Sequence, residues 1–372
     1  MMDRNTSREA LYHALTDNSF STEGKKLFIW GTGNTAQLYQ EGLKRLEEEG
    51  FFIYGYCDNH MEKFADDRSF CGKPVLGAEE LLREKNAYVL ICTPQPQAVC
   101  GIADQLNGMG IPNRHIDAVI FRLHAKEVMA CYDALEDEES RDIYAELVLC
   151  RMNGRYPVKL NINRKQYFAP DRFRNANANE VFVDCGAFVG DVVERYIWNK
   201  GGAFGKIIAF EPDKGNYDAL AYRVKRLKKE WNLKEDSIVL EYAGIGEQNG
   251  EGVFVHDAVN GGLGSKYVAD ASEGDVSRIY SIDGYMTEPF DFLKADIEGY
   301  EYQMLLGARE SIRRYRPLLA VCIYHNAVDF YTILLLIRSI EPKYKFALRH
   351  HTGIESDTVL YAWVEDRDGG LL

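Results

Sequence analysis

Two short apolar runs in this chain each lead into a glycine-containing turn and then into a helical pattern. The first run, Lys26 to Trp30, precedes Gly31, Gly33 and Ala36, and the second, Val181 to Asp184, precedes Gly186 and Gly190. A strand, a tight glycine turn and a helix in this order begin a Rossmann-type βαβ unit. With 372 residues the chain is long enough for two domains, so we expect two α/β units.

The first unit is predicted to hold a small parallel sheet, because apolar runs alternate with helical patterns along it. The predicted strands are Lys26 to Trp30, Phe52 to Cys57, Pro74 to Leu76 and Ala87 to Cys92. Helical spacing over about residues 125–154 then predicts one long bridging helix that leads into the second unit.

The second unit is predicted to hold a seven-stranded, mostly parallel sheet. The predicted strands are Val181 to Asp184, Lys206 to Phe210, Ile238 to Ala243, Phe292 to Asp296, Leu318 to Tyr324, Lys345 to Arg349 and Thr358 to Trp363. Only a short turn-like stretch joins the last two, so we expect an antiparallel pair at the edge. The predicted fold class is α/β with two Rossmann-like domains, at residues 1–122 and 179–372, around a helical lead-in at 123–178.

The charge balance limits the partners of the chain. With 44 Lys and Arg against 57 Asp and Glu, the formal net charge is −13, which disfavours a nucleic-acid partner. The apolar runs are shorter than the roughly 20 residues of a membrane span, and residues 1–16 lack the apolar core of a secretory signal. We therefore expect a cytoplasmic protein without a membrane span, and the sequence leaves a homo-oligomer open.

The first glycine turn is a candidate nucleotide site. Gly31, Gly33 and Asn34 follow the first strand, and Asp58 follows the second, where an acid can hydrogen-bond ribose hydroxyls. A nucleotide, a nucleotide sugar or NAD fits this pattern, and so does a turn that serves folding alone. No Tyr-x-x-x-Lys pair follows within the first 120 residues, so a dehydrogenase would lack its catalytic group.

The second glycine turn differs from a pyrophosphate site in its charge. Asp184 before the turn and Asp191 after it would repel a phosphate and favour a cation. Glu211 follows the next predicted strand, where its carboxylate can accept both ribose hydroxyls of an adenosine. Together these acids favour S-adenosylmethionine over NAD. The candidate cofactor-binding residues are Asp184, Gly186, Ala187, Gly190, Asp191, Glu211, Pro212, Ala243 and Gly244.

A third group of polar residues lies at the ends of two later strands. Because the carboxyl ends of parallel strands meet at one edge, these side chains are expected to share one crevice. The candidate catalytic residues are Asp296, His325 and Lys294, and Asp296 or His325 would remove a proton from an acceptor hydroxyl. A divalent cation of the Mg²⁺ type is the other means of activating that hydroxyl, with Asp296, Glu298, His325 and Asn326 as candidate ligands. Each acid alone is also explained as a cap at a helix or strand end.

The second half of the chain resembles the FkbM family of S-adenosylmethionine-dependent methyltransferases. The matching pieces, in the order of the family, are residues 183–191, 210–213 with Asn216, 281–283 and 294–301. The resemblance covers about residues 135–365 and implies a seven-stranded class I methyltransferase fold. It also implies methyl transfer, usually to a hydroxyl oxygen. Phe188 stands where many class I methyltransferases have glycine and is expected to point away from the methionine part of the cofactor.

The first unit is similar to the nucleotide-sugar-binding Rossmann modules of some sugar-modifying enzymes, through residues 30–33, 56–59 and 72–77. This likeness implies a small-molecule or sugar acceptor, and it suggests a sugar that is carried on a nucleotide or a polysaccharide. Two other functions stay open, an NAD-dependent sugar oxidoreductase or epimerase and a non-catalytic nucleotide-binding module in glycan assembly. The glycine-rich stretch 260–266 is expected to cover the acceptor.

Overall fold

The computed structural model describes residues 4–17, 24–33, 36, 39–48, 50–64, 67–93, 95–157, 160–175, 177–256, 265–267, 275–354 and 356–365. These residues form two α/β units joined by helices, which confirms the predicted fold class. Within the same ranges, no helix has the length and apolar character needed to cross a membrane. Asn34 and residues 260–264 of the predicted acceptor loop lie outside the described residues.

The first unit is a six-stranded sheet. Its strands are β1 (Lys26–Trp30), β2 (Ile53–Cys57), β3 (Ser69–Phe70), β4 (Lys73–Leu76), β5 (Ala87–Ile91) and β6 (Asn113–His115), in the order β3-β4-β2-β1-β5-β6. Only β3 runs antiparallel to its neighbour among these described strands. All four predicted strands are present, whereas β3 and β6 have no apolar run to reveal them because they are short and largely polar. The described helices are Arg4–Thr16, Gln40–Glu48, Ala78–Leu81 and Pro96–Gly108.

Three helices lead from the first unit to the second: Ile116–Leu123, Ala125–Ala134 and Glu138–Asn153. The single bridging helix expected over residues 125–154 is therefore interrupted at 135–137. The carboxylate of Asp137 causes the restart, because it caps the last helix by accepting the backbone N–H of Ser140 at 2.8 Å. The Ser140 hydroxyl in turn accepts the N–H of Leu348 at 2.8 Å, which ties this helix to the edge of the second sheet.

The second unit contains two sheets. Its described strands are β7 (Val181–Cys185), β8 (Lys206–Phe210), β9 (Ile238–Glu241), β10 (Ala243–Ile245), β11 (Gly250–His256), β12 (Ser265–Tyr267), β13 (Asp275–Tyr280), β14 (Phe292–Ala295), β15 (Leu318–Cys322), β16 (Lys345–His350) and β17 (Thr358–Trp363). The main sheet has the order β16-β17-β15-β14-β7-β8-β9, and β10-β13-β11-β12 form a smaller sheet that the sequence pattern does not reveal. The helices are Asp191–Asn199, Lys214–Glu230, Ile282–Tyr285, Glu301–Leu306, Arg309–Tyr315 and Asp329–Ile340.

The antiparallel strand of the main sheet is not at its edge. β17 pairs antiparallel with β15 on one side and with β16 on the other, while β7, β8, β9, β14 and β15 run parallel. The short connection after β16 returns β17 into the gap beside β15, where it is paired along both edges. The expected antiparallel pair is therefore present, with β16 outermost.

One apolar core joins the two units. Buried residues of the lead-in helices pack against both the first sheet and the helix Asp329–Ile340. Phe121 and Phe330 meet edge to face with ring centroids 5.8 Å apart, and the Tyr144 hydroxyl donates to the carbonyl of Phe330 at 3.1 Å. The helix Glu138–Asn153 consequently lies between the two units, and its buried polar side chains can contact both.

Candidate functional site

A cavity of about 700 Å³ lies at the carboxyl ends of the parallel strands of the main sheet. Nine of the candidate cofactor-binding, catalytic and metal-ligating residues line it: Gly186, Asp191, Glu211, Pro212, Ala243, Gly244, Lys294, Asp296 and Glu298. The others, Asp184, Ala187, Gly190, His325 and Asn326, lie outside the described lining. The fold thus brings the glycine turn, the acid after β8 and the acids after β14 into one space.

The glycine turn is pressed against the end of β14. Gly186 has a φ of +78°, and a Cβ atom there would overlap the carbonyl oxygen of Asp296. Gly190 has a φ of +82°, and its Cβ would lie 2.7 Å from Cδ1 of Leu220. Both positions therefore require glycine for conformation and for space, and the first sets how closely the turn approaches Asp296.

Lys294 and Asp184 form a buried ion pair beneath this turn. The ammonium lies 3.0 Å from Oδ1 of Asp184 and donates to the carbonyl of Gly186 at 2.6 Å. Burial raises the pKa of Asp184 to about 6. Burial lowers the pKa of Lys294, but the carboxylates of Asp184 and Asp296 outweigh this effect, so the pKa of Lys294 is raised. Lys294 is thus a fixed cation that braces the turn, and Asp184 faces that cation from outside the lining.

Glu211 holds the glycine turn from the neighbouring strand. Its Oε2 accepts the N–H of Phe188 at 2.8 Å, and its Oε1 accepts the N–H of Asp213 at 2.9 Å. Burial raises the pKa of this carboxyl to about 7, against the lowering effect of the two backbone donors. Phe188, which is expected to point away from the methionine part of a cofactor, has a φ of +49° and is among the residues that line the cavity. The Asp191 carboxylate accepts a hydrogen bond from Arg195 at 2.6 Å.

Asp296 is held by two tyrosine hydroxyls. Tyr167 donates to its Oδ2 at 2.6 Å, and Tyr324 donates to its Oδ1 at 3.1 Å. Burial works to raise the pKa of Asp296, but Lys294 and His325 outweigh it and lower that pKa, so the group is ionised at neutral pH. Sequence reasoning assigned no role to either tyrosine, although Tyr324 is the last residue of the predicted strand that His325 follows.

His325 lies behind Asp296 among three carboxylates. Its Nδ1 is 3.3 Å from Oε1 of Glu301, and its Nε2 is 3.5 Å from Asp296 and 3.8 Å from Glu298. Burial lowers the pKa of the imidazole, yet Glu301, Glu298 and Asp296 together raise it to about 10. At neutral pH His325 is therefore an imidazolium that already carries the proton a general base would need to accept.

The predicted cation site does not fit the residues present. Ligand atoms of Asp296, Glu301 and His325 all lie within 4.8 Å of one another, so Glu301 takes the place foreseen for Glu298 and Asn326. An imidazolium has no free lone pair, and Mg²⁺ prefers oxygen ligands. A divalent ion would have to displace a proton that three carboxylates hold, so these residues favour the imidazolium over a metal ion.

The first unit has a cavity of its own, of about 510 Å³, beside the first glycine turn. Gly31, Gly33 and Asp58 line it. Gly31, at a φ of +127°, is required by packing because its Cβ would lie 2.6 Å from the carbonyl oxygen of Cys92, whereas the Cβ of Gly33 would meet nothing within 4 Å. Asp58 accepts the hydroxyl of Thr32 and the N–H of His60, the latter at 2.8 Å.

The main sheet and the cavity at the carboxyl ends of its parallel strands define a class I methyltransferase fold. Within this class, residues 184–346 match the family model of the Methyltransferase FkbM domain. The match lies in the second unit, where the sequence motifs predict an FkbM methyltransferase domain.

Comparison with solved structures extends the likeness beyond this domain. The crystal structure of Methyltransferase FkbM from Methylobacillus flagellatus KT matches 96% of this chain and 99% of its own, with a TM-score of 0.58 and 20% identity, which shows a shared fold. An rRNA methylase from Streptococcus thermophilus covers 51% of this chain and 90% of its own, with a TM-score of 0.32 and 15% identity. An O-methyltransferase from Bacillus cereus in complex with SAH covers 50% and 75%, with a TM-score of 0.32 and 13% identity. No curated protein matches the chain.

Proposed function

We propose that the second domain transfers a methyl group from S-adenosylmethionine to a hydroxyl oxygen of a sugar or glycan precursor. The observation that carries the proposal is the single cavity lined by the Gly186 turn, Glu211 and Asp296. A cofactor-binding turn and a carboxylate able to accept a proton are thereby within reach of one bound pair of substrates. The FkbM domain favours this function over the oxidoreductase and the non-catalytic module.

The cavity residues fit the cofactor. Each oxygen of Glu211 accepts one backbone N–H, so each has further acceptor capacity for a ribose hydroxyl. Ala243 and Gly244 line the same cavity without bulky side chains, where the adenine is expected. S-adenosylmethionine supplies an electrophilic methyl group on a sulfonium. Asp191, which also lines the cavity, is the proposed partner of the cofactor's ammonium.

Asp296 is the proposed proton acceptor. It is ionised at neutral pH, and Tyr167 and Tyr324 orient its two oxygens. As the acceptor oxygen forms its bond to the methyl carbon and the carbon–sulfur bond breaks, the hydroxyl proton passes to Asp296. The roles of His325 and Lys294 follow from their charge, since both lower the pKa of Asp296 and keep it ionised. The contribution of these residues to rate is mainly placement.

The charge of the cavity favours a neutral acceptor. Five carboxylates line it, and Lys294 is the one basic side chain among the described lining residues: the acids are Asp191, Glu211, Asp296, Glu298 and Asp357. Carboxylates accept hydrogen bonds from sugar hydroxyls but repel a phosphate or carboxylate close to the reacting atom. We therefore propose that any nucleotide attached to the acceptor lies away from this cavity.

Calorimetric titration with S-adenosylmethionine and S-adenosylhomocysteine tests the cofactor assignment. Glu211→Gln keeps the size of the side chain and removes its charge, and Glu230→Gln, at an exposed position paired with Arg226, is the matched control. We expect binding to wild type and to the control, and a loss of at least tenfold in Glu211→Gln. NAD should produce no heat. Absence of binding to wild type by both sulfur compounds contradicts the proposal.

For the first unit we propose a nucleotide or a nucleotide sugar as ligand. Asp58 and Glu211 are bonded alike, because each accepts the N–H two residues further on and a donor from its own glycine turn. Gly33 also leaves open space on the cavity side of its turn. Titration with UDP-glucose and UMP into wild type and Asp58→Asn tests this proposal, and equal binding by both proteins contradicts it.

A further inference from the structure

Arg151 contacts all three parts of the chain. It lies in the helix Glu138–Asn153, and 9% of its surface is exposed. Its Nε donates at 2.9 Å to Oδ2 of Asp117, which lies on the connecting helix Ile116–Leu123. Its Nη2 donates at 2.7 Å to the hydroxyl of Tyr39, in the first unit. Its Nη1 donates to the backbone carbonyl of Tyr324 at 2.7 Å, in the second unit. The planar fork of one guanidinium thus spans the junction.

The carbonyl that Arg151 holds belongs to the turn behind the cavity. Tyr324 and His325 follow β15 after one intervening residue, Ile323, and their ring centroids lie 4.1 Å apart. The hydroxyl of Tyr324 donates to Asp296, and the imidazole of His325 lies 3.5 Å from the same carboxylate. Both contacts to Asp296 therefore depend on where the backbone of this turn is placed.

Arg151 is itself held in place by Asp117 of the helix Ile116–Leu123 and by Tyr39 of the first unit. The carboxylate of Asp117 is buried, with 1% of the residue exposed, and Tyr39 is 5% exposed. A buried arginine with three acceptors has little freedom to move, and loss of one contact leaves a buried polar group to be satisfied. The position of the Tyr324 carbonyl consequently depends on the residues that hold Arg151 as well as on the main sheet.

We propose that Arg151 is a positioning residue that holds the turn of Tyr324 and His325 against Asp296. Through Tyr39, together with Asp117 of the connecting helix Ile116–Leu123, the first unit then supports the proposed proton acceptor and is required for methyl transfer even when its own cavity is empty. The consequence for catalysis rests on the proposed function, whereas the placement of His325 can be measured without any substrate.

The direction in which the pKa of His325 changes when Arg151 is replaced distinguishes a positioning role of Arg151 from a purely structural one. The charged groups that face it are Asp296, Glu298, Glu301, Asp329 and Asp357. Removal of the Arg151 cation with the turn unmoved would stabilise the imidazolium further and raise the pKa of His325. Release of the turn would move the imidazole away from its carboxylates and lower that pKa toward about 6.5. A purely structural role would leave the turn in place, and the pKa of His325 would then be unchanged or raised.

The experiment is a pH titration of the full chain containing ¹³C-labelled histidine, followed by NMR. His325→Gln assigns the signal among the eight histidines. The variants are Arg151→Met, Arg151→Lys and the milder Tyr39→Phe, which removes one hydroxyl. Arg122→Met is the matched control, because Arg122 bonds the carbonyl of Ala14 and the carboxylate of Asp17 and touches neither Tyr324 nor Asp296 in the described contacts.

We expect the pKa of His325 to fall by at least one unit in Arg151→Met, and by less in Arg151→Lys and Tyr39→Phe. Arg122→Met should match wild type. An unchanged or raised pKa in Arg151→Met overturns the proposal, as does an equal fall in the Arg122 control. If Arg151→Met does not fold, the direction of the change in the pKa of His325 is measured in Arg151→Lys and Tyr39→Phe.

Measurements of cofactor affinity and of kinetics distinguish a failure of this proposal from a failure of the proposed function. S-adenosylhomocysteine affinity should be the same within threefold in wild type and in Arg151→Lys, because Arg151 does not line the cavity in the described part of the chain. With an acceptor in hand, kcat should fall about 10- to 100-fold while KM for the cofactor stays constant. If the wild-type protein binds no cofactor, the proposed function is contradicted. The pKa of His325 in the Arg151 variants still tests whether Arg151 positions the turn.

Discussion

A Cβ atom at Gly186 would overlap the carbonyl oxygen of Asp296. The glycine turn proposed to bind the cofactor and the acid proposed to accept the proton are thus in direct backbone contact, and the N–H of Asp296 also donates to the carbonyl of Cys185 at 3.1 Å. The separation of the two functional parts is set by main-chain packing between β7 and β14, which is stiffer than any pair of side chains.

Gly186→Ala should therefore be costly. We expect a loss of about 2–4 kcal/mol in the free energy of unfolding, from left-handed strain together with overpacking, and a loss of S-adenosylhomocysteine binding. Gly201→Ala is the control, because Gly201 has a φ of +60° but open space around its Cβ and should lose about 1 kcal/mol. Urea denaturation measures both, and equal losses would show that the contact with Asp296 carries no extra cost.

The affinity for S-adenosylhomocysteine should depend on the protonation of Glu211. Because its pKa is raised to about 7, the carboxyl is largely protonated below that pH and accepts ribose hydroxyls less well. We expect the dissociation constant to rise toward tenfold per pH unit below about 7 and to level off above it. Glu211→Gln should show a weak and flat profile by calorimetry, and a sloping profile in that variant would assign the dependence to another group.

His325 should stabilise the protein over a defined pH range. Its folded-state pKa, about 10, exceeds the ordinary value of 6.5, so the folded state binds one more proton between these values. The stabilisation relative to His325→Gln is fully present below about pH 6.5 and is lost as pH rises through 10, at about 1.4 kcal/mol per pH unit. Denaturation of both proteins at pH 6, 8 and 10 measures the difference, which a neutral histidine would leave constant.

Divalent cations should not affect cofactor binding. The imidazolium of His325 takes the place of a cation between Asp296 and Glu301, so neither 5 mM Mg²⁺ nor treatment with EDTA should change the affinity for S-adenosylhomocysteine beyond twofold, as roughly expected for uncoupled sites. Thermal unfolding should likewise be unaltered. A rise in the unfolding temperature with Mg²⁺ that disappears in Asp296→Asn would instead place a metal at this carboxylate.

The acceptor should be uncharged or cationic near its reacting hydroxyl. With S-adenosylmethionine present, methyl glycosides of glucose and glucosamine should outcompete that of glucuronic acid by at least about tenfold, because the lining carboxylates repel an anion. Release of S-adenosylhomocysteine measures turnover. Glu298→Gln should reduce the preference for the glucose and glucosamine glycosides over the glucuronide. A preference for the glucuronide in wild type would contradict the charge argument.

Local patterns in the sequence were sufficient for the fold class and for most strands. Apolar runs bounded by turn residues predict β8 and β17 with the observed limits, since burial on both faces leaves a strand uniformly apolar. β3, β6, β12 and β13 lack such runs. The interruption at Asp137 is likewise invisible to helical periodicity, because the helices on both sides of it continue the apolar spacing.

The same limit applies to the site. Sequence order alone indicates which residues follow the strands of a parallel sheet, and nine of these line the cavity. What it does not indicate is which partner each charge meets. Lys294 lies beneath the turn with Asp184, His325 is an imidazolium among three carboxylates, and Tyr167 orients Asp296 from 129 residues away in the chain.

The sequence by itself determined the two α/β units, the methyltransferase class and the edge of the sheet at which chemistry is expected, because these follow from periodicity and from motifs of adjacent residues. The tertiary structure decided the protonation of Asp184, Glu211 and His325 and the convergence of Tyr39, Asp117 and Tyr324 on Arg151. The physical reason is that burial and Coulomb interactions depend on distance in space, whereas local patterns record only distance along the chain.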